Sequence, residues 1–472
     1  MLRWLVPEST LTRGELLYHV AEISFGEMRG INKSEACQNS AIYNPSQHPD
    51  TTGKGIHPRM SSLALFLLQI AVIVLVTAMC GVLLGKLGQP RVVGEMLGGI
   101  LLGRSVFGYA MPHLIANLFP LGSLHDLSLV SELGMVLYLF LEGMNLDFES
   151  VWKQRQAAMK ISLLSMVIPF TLGCGLGVVM YRNFHGVNAN FAAFLLFVGV
   201  GLSTTAFPVL ARMLRDNGTG DAKLNMLALV CAAIADVLGW ILLAVALMID
   251  SANSTVWVLL LKMLFLVAFG VFLLGAVRPL LAKLVRWKGA PNISNVLLAV
   301  FLVFILGCAF VTERLGVHAL FGAFLAGMCV PRLHHWHRQL ERTIHPLVSV
   351  LLLPVFFAVT GIHTEFRDLG GKNVFLWFVV LLALAIAGKV GGAYYGARKS
   401  NLPPRESLLL GFLMNTRGLI DLVVVNLALQ AGAIDTQLFT ILVLVALITT
   451  AMTAPALKLL RKKQDAPTPA PA

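Results

Sequence analysis

Apolar residues run through this chain in long, nearly unbroken stretches. The alternating or one-sided patterns of a soluble fold are absent. Thirteen stretches can be drawn, at roughly 61–85, 91–107, 124–145, 158–181, 190–213, 224–249, 255–277, 293–313, 316–331, 345–363, 374–397, 406–430 and 437–457. Most approach the ~20 residues a helix needs to cross a hydrocarbon core; the second and ninth are short. Lipid offers no partner to an exposed backbone, so such stretches form helices. The pattern predicts an all-α integral membrane protein with thirteen transmembrane helices.

The pattern also repeats. Gly94–Gly103 resembles His318–Gly327, and Leu133–Phe148 resembles Leu351–Phe366, with Gly143 opposite Gly361. Six helices, a linking seventh and six more give two six-helix repeats of inverted orientation, a signature of secondary transporters.

Composition agrees: 57% of the residues are hydrophobic, 13% are charged and the mean hydropathy is +0.79, outside the range of soluble domains. A formal net charge of +12 raises the question of nucleic acid, but the placement of the charges answers it. With the tail Arg461-Lys462-Lys463 put in the cytoplasm, the connections on that side carry most of the Lys and Arg, among them Lys153, Arg155, Arg278, Lys283, Arg286 and Arg398. The opposite side holds few, such as Arg104, Arg182 and Arg314. By the positive-inside rule the N-terminus is outside and the C-terminus cytoplasmic, and no nucleic-acid partner is needed. The six cysteines are scattered and form no CxxC, so neither a disulfide framework nor a zinc site is indicated.

Residues 1–59 are polar, mixed in charge and without an apolar run of signal-peptide length. They read as a disordered extension or a start-site artefact, Met60 opening the membrane domain. The expected division is 1–59 extension, 60–460 transmembrane domain and 461–472 short cytoplasmic tail.

Two residues break the apolar rule. Asp236 lies within Leu227–Ile249 and Lys389 within Val374–Ala397. A charge at mid-bilayer costs about 2.5–3.5 kcal/mol on insertion scales, so an acid and a base there read as an ion or proton pathway. Two stretches also carry helix-breaking residues. The fifth holds Ser203-Thr204-Thr205-Ala206-Phe207-Pro208, and the twelfth holds Asn415-Thr416-Arg417-Gly418 with Asp421 one turn on. They occupy equivalent places in the two repeats, as paired broken helices that cross at an ion site do.

Gly201–Leu214 (GLSTTAFPVLARML), Ala232–Leu243 (AAIADVLGWILL), Gly316–Pro331 (GVHALFGAFLAGMCVP), Leu351–Gly361 (LLLPVFFAVTG), Asn415–Leu422 (NTRGLIDL) and the early Gln89–Glu95 resemble the monovalent cation:proton antiporter-2 family. The likeness is to its plant cation/proton exchangers and their bacterial relatives, and spans roughly residues 62–457. It implies a homodimer in a bacterial inner membrane, exchanging K+ or Na+ for H+ by an elevator-like alternating access. No enzymatic activity, resident metal or cofactor is implied. Asp236 is then the carboxylate shared by cation and proton. Thr204 and Thr205 would add the neutral oxygens a hard cation prefers. Lys389 matches the family's basic residue near the acid, its other reading being a lysine that snorkels to the cytoplasmic side. Pro208, Asn415, Thr416, Arg417 and Asp421 would build the crossing, with Arg417 and Asp421 compensating each other and the half-helix ends. The family often has Asn-Asp or Asp-Asp where this chain has Ala235-Asp236. A single acid implies electroneutral, one-for-one exchange unless Lys389 carries a second proton.

Two other functions fit parts of the pattern. A sodium-coupled organic anion transporter of the same fold would use the arginine near the site. An intramembrane aspartyl protease would pair Asp236 with Asp421, but neither of these acids lies in a Gly-x-Gly-Asp motif. The remaining features take plainer readings. Gly173-Cys174-Gly175-Leu176-Gly177 is a helix-packing segment, His334, His335, His337 and His345 form a solvated loop, and Lys262 snorkels. Glu95 and Glu142, near the cytoplasmic ends of their helices, pair with loop arginines or attract cations.

Overall fold

The computed structural model describes residues 61–462, apart from position 104 and the connections at 146–154, 188–189, 218–220, 251–255, 288–294, 316–317, 332–333 and 365–371. The chain divides into two units, Met1–Arg59 and Met60–Ala472. The first lies outside the described residues, as does the tail from 463.

The second unit is helical throughout. In chain order the helices are α1 (Ser62–Lys86), α2 (Arg91–Leu102), α3 (Phe107–Ala110), α4 (Pro112–Leu118), α5 (Leu121–Asn145), α6 (Arg155–Phe184), α7 (Phe191–Ser203), α8 (Phe207–Asn217), α9 (Ala222–Asp250), α10 (Val256–Phe272), α11 (Arg278–Trp287), α12 (Asn295–Arg314), α13 (Ala319–Met328), α14 (His334–Leu347), α15 (Leu353–Ile362), α16 (Lys372–Lys399), α17 (Pro404–Met414), α18 (Leu419–Gln430) and α19 (Thr436–Lys462). One π turn joins α10 to α11 and another joins α14 to α15.

Among the described residues, 10 spans are long and apolar enough to cross a membrane, and 11 if the bent pair α17–α18 counts as one. The expected second and ninth spans fall short. They appear as α2, of 12 residues, and α13, of 10 residues. At 1.5 Å per residue neither alone reaches across the ~30 Å hydrocarbon core.

Small residues decide how these two short helices pack. A Cβ on Gly99 of α2, or on Gly103 at its C-cap, would collide with the backbone of Phe357 or Gly361 in α15. A Cβ on Gly143 of α5 would strike Phe324 of α13, and one on Gly327 of α13 would strike Phe140 of α5. The outer neighbours follow the same arrangement: Gly98 abuts Thr77 of α1, and Gly322 abuts Cys308 of α12. Glycine lets helix backbones touch where lipid supplies no hydrophobic drive. The Gly173 segment serves the same end, since a Cβ there would lie 2.9 Å from Gly199 Cα of α7.

Two packing groups result. In one, α2 and α5 pack on α13 and α15, with α1 and α12 outside them. In the other, α6 packs along α16 and against α7 and α9, with α17 on α16. Trp240 of α9 reaches the first group, its ring 5.7 Å from Phe321 and 6.1 Å from Phe324.

Candidate functional site

Helix α7 ends at Ser203 and α8 begins at Phe207. Pro208 explains the break. It has no N–H to donate to the carbonyl four residues back, at Thr204, and its ring clashes there. The second interruption runs from Asn415 to Gly418, and α17 and α18 meet across it at 44°. Asn and Gly are both weak helix formers.

The two breaks bind each other. The Ala206 N–H donates to the Thr416 carbonyl at 3.0 Å, and the Thr205 hydroxyl to the Met414 carbonyl at 3.1 Å. Thr204 donates to Asp421 Oδ1 at 2.5 Å. Thr450 of α19 braces the crossing, accepting from Arg417 N–H at 3.0 Å and donating to the Arg417 carbonyl at 2.7 Å. Sequence reasoning missed Thr450, which lies in an ordinary apolar helix.

Charges close the exposed helix ends. The last carbonyls of α7 have no helical partner and carry the negative end of its dipole. Arg417 donates to the carbonyls of Gly201 and Leu202, and Lys389 of α16 to that of Ser203. Both side chains are fully buried, so Lys389 does not snorkel. Arg417 also lies 3.3 Å from Asp421, and Asp421 Oδ2 accepts the Gly418 N–H at 2.8 Å, at the start of α18. Asp421 is therefore fully engaged, unlike a protease acid paired with Asp236. The terminal nitrogens of Arg417 bind the α7 carbonyls and Asp421, while its Nε has no hydrogen-bond partner.

Asp236 sits at mid-length on α9, 4% exposed. Its Oδ2 accepts the Phe207 N–H at 3.3 Å, at the positive end of α8. Its Oδ1 has no hydrogen-bond partner. Asp421 and Lys389 are within Coulombic reach. Gly239, one turn further along α9, faces the Thr204 methyl, which a Cβ would meet at 3.0 Å. The protons of Thr204 and Thr205 are spent on the crossing, leaving only their oxygen lone pairs for a cation. Asn415 and Thr416 are fully buried, yet Asn415 Oδ1 and Nδ2 and Thr416 Oγ1 have no hydrogen-bond partner. Unpaired buried polar atoms cost about 1–3 kcal/mol each. They lie in the same crossing as Phe207, whose N–H meets Asp236.

Other residues separate from this site. Glu95 lies within Coulombic reach of Arg212 of α8 and Arg91 of α2, which stand on helices and not on loops. Glu142 does not follow the loop-arginine reading either: it is buried on α5 with the Tyr138 hydroxyl as hydrogen-bond partner, and it acts on Asp236. His337 donates Nε2 to the Met144 carbonyl at 2.9 Å; the side chains of His334 and His335 lie outside the described ones. Among the described residues, no group of three or more His, Cys, Asp or Glu side chains could hold a resident metal ion.

Residues 71–460 match a family described as sodium/hydrogen exchanger, transmembrane. The chain is 36% identical over 408 residues to cation/H(+) antiporter 19 of Arabidopsis thaliana, covering 85% of this chain and 50% of that protein. It thus spans about half the length of the plant relatives it matches. It is 35% identical to the Na(+)/H(+) antiporter NhaS4 of Synechocystis sp., covering 84% of this chain and 97% of that one. The fold is similar to the sodium proton antiporter MjNhaP1 from Methanocaldococcus jannaschii, with a TM-score of 0.55 at 13% identity, over 85% of this chain and 99% of the other.

Proposed function

The chain belongs to the sodium/hydrogen exchanger family of transmembrane proteins, and from that premise we propose that it exchanges a monovalent cation, K+ or Na+, for H+ at Asp236. The observation that carries this reading is one buried carboxylate with a free oxygen beside two interrupted, mutually bonded helices. A buried carboxylate binds a proton or a dehydrated cation far more readily than it stays empty and charged. One occupant displaces the other, and if only the occupied carrier crosses, transport is obligatory exchange. Asp236 Oδ1 is the anionic ligand. Asn415 Oδ1, Thr416 Oγ1 and the lone pairs of Thr204 and Thr205 are the neutral oxygens of the crossing, a donor set suited to a hard cation. Lys389 and Arg417 hold the α7 carbonyls and set the potential around the acid.

The architecture proposed with it has thirteen membrane-crossing elements in two inverted repeats. Support comes from the glycine contacts. Exchanging α2 with α13 and α5 with α15 turns the α2–α15 contact into the α13–α5 contact, as a pseudo-two-fold requires. The N-terminus is outside, the C-terminus is in the cytoplasm of a bacterial inner membrane, and the protein is a homodimer. The α6–α9 and α16–α18 group moves against the α2, α5, α13 and α15 group to give alternating access. Residues 60–460 are the transporting domain, 1–59 are dispensable and 461–472 are a short cytoplasmic tail.

Everted vesicles acidified inside and challenged with Na+, K+ or Li+ test the function. Proton efflux that depends on one or more of these ions is expected. Its absence with all three, from protein shown to be in the membrane, sinks the reading.

A further inference from the structure

Exchange by relative motion requires that whatever joins the two packing groups be able to part. Aromatic faces meet at one place, Trp240 of α9 against Phe321 and Phe324 of α13, and dispersion contacts of this kind carry no polar cost when they are traded. A polar contact crosses as well. Asn426 of α18 donates Nδ2 to Thr360 Oγ1 of α15 at 2.9 Å, and both side chains are buried. Helix α15 packs with α2 and α5, whereas α18 packs with α7 and α19. The first turn of α18 holds Asp421, which binds Arg417 and Thr204. The bond from Asn426 therefore ties the crossing to the opposite group.

Its surroundings suit a bond that breaks and re-forms. An amide nitrogen carries two protons, and the second goes to the Leu422 carbonyl at 2.8 Å, on the same helix. Thr360 donates its own proton to the Phe356 carbonyl at 2.9 Å, again on its own helix. When α15 and α18 part, each side chain keeps its partner at home, and one amide proton and one hydroxyl lone pair are released. The amide is not stranded in an apolar wall. Asn426 lines a cavity of about 30 Å³ together with Ser131 and Glu132 of α5, His318 at the start of α13 and Gln430 of α18. That space admits a water, and polar side chains at membrane depth face cavities of this kind. The contrast with Arg417 and Asp421 is one of strength. That buried ion pair lies within one group, and parting it would leave uncompensated charge. The tie between the groups is a neutral hydrogen bond, which membrane helices exchange at small cost.

We propose that the Asn426–Thr360 hydrogen bond is a latch between the two packing groups, holding α18 and the crossing in one position and parting in each transport cycle. The inference rests on exchange at Asp236 by motion of one group against the other. Asn426 and Thr360 are positioning residues: they set where the crossing stands and do not touch the ion.

The experiment uses the full chain in vesicles of both orientations, so that cation can be added to either face. The variants are Thr360→Val, Thr360→Ser and the pair Thr360→Cys with Asn426→Cys. Valine keeps the shape of threonine and loses the hydroxyl, whereas serine keeps it. Loss of the latch in T360V should shift the ratio of the two KM values by about two- to twelvefold, equivalent to ~0.5–1.5 kcal/mol for one hydrogen bond. T360S should keep the wild-type ratio. In the double-cysteine protein a short bis-methanethiosulfonate should join α15 to α18 and abolish exchange, and dithiothreitol should restore it. Wild-type protein and each single-cysteine variant, treated alike, should keep their untreated rates. Exchange that survives a cross-link confirmed by mass overturns the inference and leaves the Asp236 site intact; so does the same KM ratio in T360V as in T360S. If the cysteine pair does not fold or does not join, the ratios in T360V and T360S decide, and if T360V does not fold, the cross-link decides. Wild-type protein without cation-dependent exchange in either orientation overturns both readings together.

Discussion

Arg417→Met tests what holds the crossing together. Methionine keeps much of the side chain's length and packing but removes the charge and its donors. Three groups then lose a partner: the carbonyls of Gly201 and Leu202 at the end of α7, and Asp421 Oδ1. Breaking a buried ion pair from one side costs about 3–5 kcal/mol. Asp421 keeps the Thr204 hydroxyl at 2.5 Å and the Gly418 N–H at 2.8 Å, which favours the lower end, about 3 kcal/mol. Asp421→Asn should cost less, because Arg417 keeps its two carbonyls. The double variant should be less destabilised than the sum of the singles by about 1–2 kcal/mol, as contacting partners are. The assay is thermal unfolding in detergent, followed by a C-terminal fluorescent fusion. At about 1.2 °C per kcal/mol for roughly 400 ordered residues, R417M should melt about 3–4 °C below the wild type. A midpoint within about 1 °C of the wild type, or strict additivity in the double variant, would refute the reasoning.

Three further outcomes follow from the same structure. Asp236→Asn should express and assemble normally but lose cation/proton exchange, because the amide neither binds the proton nor balances the cation; undiminished exchange by the purified variant removes Asp236 from the site. A protein begun at Met60 should insert and transport at the wild-type level, and a truncation absent from the membrane would show that residues 1–59 matter. Exchange in proteoliposomes should run one-for-one and be independent of clamped membrane potential, since Asp421 is paired with Arg417 and Asp236 is the single exchanging acid. A reversal point that moves with voltage would instead assign a second proton to Lys389.

Helices and their order were legible in the chain because transfer from water to lipid is a property of each segment by itself. The apolar stretches at 61–85, 124–145 and 224–249 return as α1, α5 and α9 with small changes at their ends. The breaks were legible for a similar reason. Pro208, Asn415 and Gly418 weaken helix locally, whatever surrounds them. Asp236 and Lys389 stood out because each is costly within its own helix.

What each polar group meets was decided only by tertiary structure. Thr204 and Thr205, expected as ion ligands, spend their protons on Asp421 and Met414. Asn415 and Thr416, expected only as parts of the crossing, keep unpaired oxygens. Thr450 braces Arg417 from a helix with no outward sign of it. Glu142 and Asp236 are far apart in sequence and on different helices, so no periodicity links them. Glycines at 99 and 361 let α2 and α15 approach until backbones touch, and those at 143 and 327 do the same for α5 and α13. Hydrophobic transfer is additive along a chain and can be read from it. Pairings among buried charges depend on separations of a few ångströms between distant segments, and those exist only once the helices have packed.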